Sequence, residues 1–139
     1  MKALRSLPGT RALLAAVLVA SVLAAQSASA QPMMSRPLPD LGGRLLTLNQ
    51  IVYAPGQSSE PHRHAAHILA YVLSGQIESS LDDQPPVLYG PGEFWYESPM
   101  QLHRTFRNPS ATDSVTVLVF GLRDPDQPGR LSEPSPGAR

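Results

Sequence analysis

The chain has 139 residues with 11 basic and 11 acidic side chains, 15 prolines and no cysteine. No disulfide can staple the fold, and no thiolate is available as nucleophile or ligand. Lys2 is the only lysine, so a chain processed beyond it has no lysine for Schiff-base chemistry, and the 8 basic against 11 acidic residues that then remain argue against nucleic acid as a partner.

Lys2, Arg5 and Arg11 precede an apolar run from Ala12 to Ala25 broken only by Ser21, and Ala28-Ser29-Ala30 is a small-residue processing pattern. The run is shorter than the roughly 20 residues a spanning helix needs. These features predict a secretory signal peptide over residues 1–30, cleaved before Gln31, and a periplasmic or secreted product with no membrane association afterwards. The mature chain would carry 8 basic and 11 acidic residues, a formal charge of −3, over a length suited to one compact domain.

From Gln31 to Gly43, Pro32, Pro37, Pro39 and the Gly42-Gly43 pair predict an extended lead-in that could lie along an edge of the fold. Arg44 to Tyr53 reads as a strand closed by Ala54-Pro55-Gly56. Ile68 to Leu73 and Gln76 to Leu81 are expected to pair as a hairpin through Ser74-Gly75. Val87 to Tyr89 is a short strand before Gly90-Pro91-Gly92. Another strand starts at Phe94-Trp95-Tyr96, where alternation puts Phe94 and Tyr96 on one face and Trp95 on the other. His103 to Arg107 and Ser114 to Leu122 complete the set. Residues 123–139, with four prolines and two glycines, are expected to be a disordered Pro-rich tail. Short strands separated by Gly and Pro turns predict an all-β sandwich or barrel over residues 44–122.

The chemistry is concentrated between Gly56 and Gly75. His62 and His64 stand one residue apart, so on a strand both imidazoles share a face and can grip one ion. The remaining histidines are His67 and His103. Gly56, His62, His64 and Gly75 fall at the places required by the first sequence motif of the cupin superfamily, small jelly-roll β-barrels with a metal inside. The motif's glutamate position is Ile68. For the second motif Gly92 and His103 fit, while Ser98 and Met100 stand at its proline and glycine positions and Asn108 is one place late. The chain thus resembles a small single-domain cupin.

This resemblance implies a cupin-type jelly-roll β-barrel holding one divalent transition metal, Fe, Mn, Zn, Ni or Cu, on His62, His64 and His103. Without the motif glutamate the ion would keep its full charge and attract a small anionic or chelating molecule. Some cupin dioxygenases work with three histidines. His67 is a further candidate ligand only if a bulge at Ala65-Ala66 turns it inward, and otherwise belongs at the rim. Glu97 could hydrogen-bond a ligating imidazole or act as general base; a surface role is the alternative. Arg104 adjoins a ligand, and Tyr71 and Phe106 are expected in the core. Three functions stay open: a metal-dependent dioxygenase or isomerase on a small oxygen-bearing substrate, a non-catalytic small-ligand-binding module, and a metal-free structural jelly roll. As cupins often are, the protein is expected to be a homodimer.

Overall fold

The computed structural model describes residues 28–133. The basic start and apolar run of the expected signal peptide lie outside those residues, and the expected processing point before Gln31 falls inside the first strand. Ten strands follow in chain order: β1 (Ser29–Leu38), β2 (Arg44–Tyr53), β3 (His62–Arg63), β4 (Ala66–Ser74), β5 (Ile77–Leu81), β6 (Val87–Tyr89), β7 (Phe94–Glu97), β8 (Leu102–Arg107), β9 (Val115–Arg123) and β10 (Leu131–Ser132). A 3-10 turn, Pro39–Leu41, joins β1 to β2.

The strands form two five-stranded antiparallel sheets, β1-β2-β9-β4-β7 and β10-β3-β8-β5-β6, in the jelly-roll arrangement. Their inner faces share one core. Val72, Val115 and Val117 from the first sheet and Ile77 from the second are wholly buried, each contributing about 1.5–3 kcal/mol relative to exposure. Tyr53 meets Phe106 edge-on at 4.7 Å, and Trp95 meets it at 5.7 Å, so the aromatic contacts knit one sheet to the other.

Strand β4 shows why the period of two works. Ala66, Ile68, Ala70 and Val72 are buried while His67, Leu69, Tyr71 and Leu73 face outward. The same alternation on β7 buries Trp95 and Glu97 and exposes Phe94 and Tyr96. Phe106 sits in the core as expected, but Tyr71 is on the outer face.

Two expectations of local structure need correction. The segments on either side of Ser74-Gly75 do not pair with each other: β4 bonds to β7 and β9, β5 to β6 and β8, so the chain crosses here from one sheet to the other. Gly75 makes the crossing possible. Its φ is +74°, and a Cβ there would lie 2.6 Å from the Ser114 carbonyl oxygen. Secondly, the segment after Arg123 is not structureless as far as Glu133, because β10 pairs antiparallel with β3, Leu131 opposite Arg63 and Ser132 opposite His62. Backbone hydrogen bonds and the Arg63–Glu133 ion pair offset the lack of apolar side chains there.

The lead-in and Asn108 also have defined places. β1 runs along the edge of the first sheet beside β2, with nearly all its side chains exposed. Asn108, fully buried, donates from Nδ2 to the carbonyls of Tyr53, Ala54 and Asp113 and accepts from the Ser110 amide. It locks the β2–β3 and β8–β9 connections to each other.

Candidate metal centre

Extended backbone and cross-strand pairing bring the three predicted histidines together. Pro61 holds the chain extended into β3, where His62 is the direct partner of His103 on β8. His64 follows β3 immediately and keeps its ring toward the same centre. The His62 ring lies 4.9 Å from that of His64 and 5.0 Å from that of His103, centroid to centroid. One donor atom from each of the three falls within 4.8 Å of the others.

The hydrogen bonds determine which nitrogens are free. His62 Nδ1 lies 2.9 Å from the Glu60 carbonyl oxygen and His64 Nδ1 lies 2.6 Å from that of Gly129. A carbonyl can only accept, so in both rings Nδ1 carries the proton and Nε2 is left with its lone pair. His103 is anchored by its other nitrogen, Nε2, at 2.8 Å from Ser79 Oγ. Its Nδ1 is buried without a hydrogen-bond partner.

Burial keeps these rings neutral. Desolvation lowers His62 to about 4 and His103 to about 3, and it also lowers His64; the positive charge of Arg130 pushes all three the same way. Burial has the opposite effect on Glu97, whose carboxyl is raised to about 7 despite the hydrogen bond from Trp95 Nε1 to its Oε1 at 3.0 Å. Glu97 Oε1 is 3.2 Å from His103 Nδ1, and Oε2, which has no hydrogen-bond partner, is 3.9 Å from His64 Nε2. Three neutral imidazoles with unshared nitrogens, beside an orphaned carboxylate oxygen, form a donor set that fits a divalent transition ion.

The centre opens into a cavity of about 180 Å³, with Ile51, Trp95, Phe106 and Val119 as apolar wall and Arg130 among the lining groups. The Cupin domain family matches residues 49–121, more than half of the chain. The protein belongs to the cupin family. No well-characterised protein sequence gives a significant match. Solved structures agree on the fold of this cupin. A cupin 2 domain-containing protein from Halorhodospira halophila is 20% identical with a TM-score of 0.63, covering 78% of this chain and 71% of its own. An RmlC-like cupin with a double-stranded β-helix fold from Methanocaldococcus jannaschii is 18% identical with a TM-score of 0.57, covering 71% and 83%. The polyketide cyclase RemF from Streptomyces resistomycificus is 26% identical with a TM-score of 0.54, covering 70% and 68%.

The departures of this cupin from the family motifs take concrete form. Met100, at the motif's glycine, has φ +65°, a left-handed backbone that glycine adopts freely and other residues adopt under strain. Its amide donates to the His64 carbonyl at 2.7 Å, and its own carbonyl accepts from Arg63, so the strained turn braces the first-motif loop. Ile68, at the motif's glutamate, is buried in the cavity wall with Glu97 directly opposite it on β7.

His67 is not part of the centre. No bulge interrupts the start of β4, so alternation turns its ring outward, where Nδ1 lies 2.6 Å from the Tyr96 hydroxyl. Arg104 also points away, bonding the Asp82 carbonyl and the Asp83 carboxylate. Sequence reasoning missed Ser79, Gly129 and Arg130. A serine in a short strand and a glycine carbonyl carry no local signal, and Arg130 lies in a Pro-rich stretch whose composition pointed to disorder.

Proposed function

We propose that this cupin is an exported metalloprotein in which His62, His64 and His103 hold one divalent transition ion, and that it acts as a dioxygenase or isomerase on a small oxygen-bearing anion or chelator. The convergence of three neutral imidazoles, each held through its second nitrogen, carries this reading. When bound, the ion would supply Lewis acidity toward a ligand oxygen and, if redox-active, electron exchange with O₂.

The chain's own residues support the binding of such a substrate. Arg130 brings a guanidinium to the cavity and suits a carboxylate or enolate oxygen. The apolar wall excludes bulk water and strengthens that attraction. At about 180 Å³ the cavity equals the volume of roughly six waters, so the ligand is small. RemF is a polyketide cyclase, which favours an enzyme over a passive binder. The signal-peptide pattern supports export, and N-terminal sequencing of the periplasmic protein should begin at Gln31.

The outer face of the first sheet supports a homodimer. Tyr96, Leu69, Phe120, Leu48 and Met34 form a cross-strand row with no charge, and Phe94, Tyr71 and Leu118 form a second. A two-fold axis would lay each face on its copy. Light scattering should give twice the chain mass, and a monomer at micromolar concentration would count against this assembly.

The functional reading is tested by metal analysis of protein purified from its native compartment. About one transition ion per chain is expected, falling to trace levels in His62→Ala. Turnover of small oxygen-bearing acids by the loaded protein separates an enzyme from a binder, which would return its ligand unchanged. Metal-free wild-type protein that takes up no added ion would refute the proposal.

A further inference from the structure

Glu97 is one of the most deeply buried polar side chains described, 2% exposed, and it lies on a cavity that already gathers three imidazoles. Its Oε1 is fixed by the Trp95 indole, and its Oε2 has no hydrogen-bond partner. A buried carboxylate with an unpartnered oxygen is costly unless a cation or proton meets it. Among the described residues no lysine or arginine makes an ion pair with it; its near neighbours are the nitrogens of His103 and His64.

The register says how the carboxylate came to be there. Position 68 on β4, where the family motif has glutamate and this chain has isoleucine, is the direct cross-strand partner of Glu97 on β7. Partners in an antiparallel ladder share a face, with Cβ atoms about 4.5–5.5 Å apart. A side chain at 97 therefore projects into the same cavity from the neighbouring strand. Adjacent donors around an ion with bonds near 2.1 Å stand about 3.0 to 3.4 Å apart. Glu97 Oε1 is 3.2 Å from His103 Nδ1, and Oε2 is 3.9 Å from His64 Nε2.

We infer that Glu97 is the fourth metal ligand of this centre, a carboxylate moved one strand sideways from position 68, so that the site is His62, His64, His103 and Glu97. This rests on the three-histidine reading above. It assigns Glu97 as neither a general base nor a support for His103: that ring is already anchored through Nε2 by Ser79, which leaves Nδ1 on the side of Glu97. It also makes the centre one charge less positive than three imidazoles alone. Arg130 rather than bare metal charge then becomes the main attraction for an anionic ligand.

The experiment is cobalt(II) titration of metal-free full-length protein, read by visible absorption and by affinity, in wild type, Glu97→Gln, His62→Ala and the exchange variant Ile68→Glu/Glu97→Ile. Glu97→Gln is close to isosteric and should bind Co²⁺ at least tenfold more weakly with an altered d–d spectrum. The exchange variant should recover most of that loss, because it returns a carboxylate to the cavity from the family's own position. An orienting role for Glu97 would leave the Gln variant near wild type, since an amide oxygen can also accept from an imidazole. A Glu97→Gln protein with wild-type affinity and spectrum would overturn the assignment while leaving the three-histidine site intact. Failure of wild type to bind Co²⁺ would overturn both, and retention of Co²⁺ by His62→Ala would sink the three-histidine reading by itself. If Glu97→Gln were to misfold, recovery of one tight Co²⁺ site in the exchange variant would support the carboxylate's place, and no binding there, beside tight binding by wild type, would count against it.

Discussion

Proton competition for the metal offers a quantitative check on the buried site. Consider zinc affinity measured at pH 7.5 and again at pH 5.5. Three ordinary imidazoles with pKa about 6.5 would each be about tenfold protonated at the lower pH, costing roughly a thousandfold in affinity. Here burial holds His62 at about 4 and His103 at about 3, so both stay neutral at pH 5.5, and His64 is lowered too. Glu97, held near 7, gains a proton across this range, and His64, lowered from its ordinary value, gains less of one than an ordinary imidazole does. Titrating one carboxylate with that pKa between pH 7.5 and 5.5 costs about 25-fold. Acidification therefore weakens binding in both cases, but this site should lose about 25-fold through Glu97 and less than a further tenfold through His64, rather than a thousandfold. Below pH 7 the logarithm of affinity should fall by between about one and two per pH unit. Competition against a chromophoric chelator, corrected for the chelator's own protonation, measures this slope. A slope approaching three would mean that the imidazoles titrate as exposed groups, and the burial argument would be wrong.

Four substitutions test other parts of the structure. Asn108→Ala strips partners from three carbonyls and one amide in the buried loop junction, and should cost about 3 kcal/mol, seen as a drop of at least 10 °C in melting temperature; a loss under 1 kcal/mol would remove Asn108 from its structural role. Gly75→Ala, with a Cβ 2.6 Å from the Ser114 carbonyl oxygen and φ +74°, should lower the unfolding free energy read from denaturant titration by about 2 kcal/mol or more, whereas the equivalent change at Gly43, where a Cβ meets nothing within 4 Å, should cost only the left-handed strain of about 1–2 kcal/mol. Arg130→Ala should weaken oxalate binding to the metal-loaded protein by about three- to tenfold without changing metal content, because the guanidinium lines the cavity while it is the Gly129 backbone that holds His64; unchanged oxalate affinity in calorimetry would exclude Arg130 from ligand binding.

The sequence alone settled what depends on neighbours along the chain. Runs of β-forming residues between Gly and Pro turns marked β2, β4, β7, β8 and β9, alternation separated Trp95 from Phe94 and Tyr96, and the spacing of His62, His64 and His103 in recognisable motifs named the three histidines that the structure gathers. Tertiary structure alone decided which strand lies beside which. Alternation says that a side chain points inward and is silent about what it meets, so the crossing at Gly75 read as a hairpin and the pairing of Ile68 with Glu97 was invisible. The same limit hid the segment around Gly129 and Arg130, whose composition is that of a loose tail. Its order comes from hydrogen bonds to β3 and to His64, partners some 65 residues away, which no local pattern encodes.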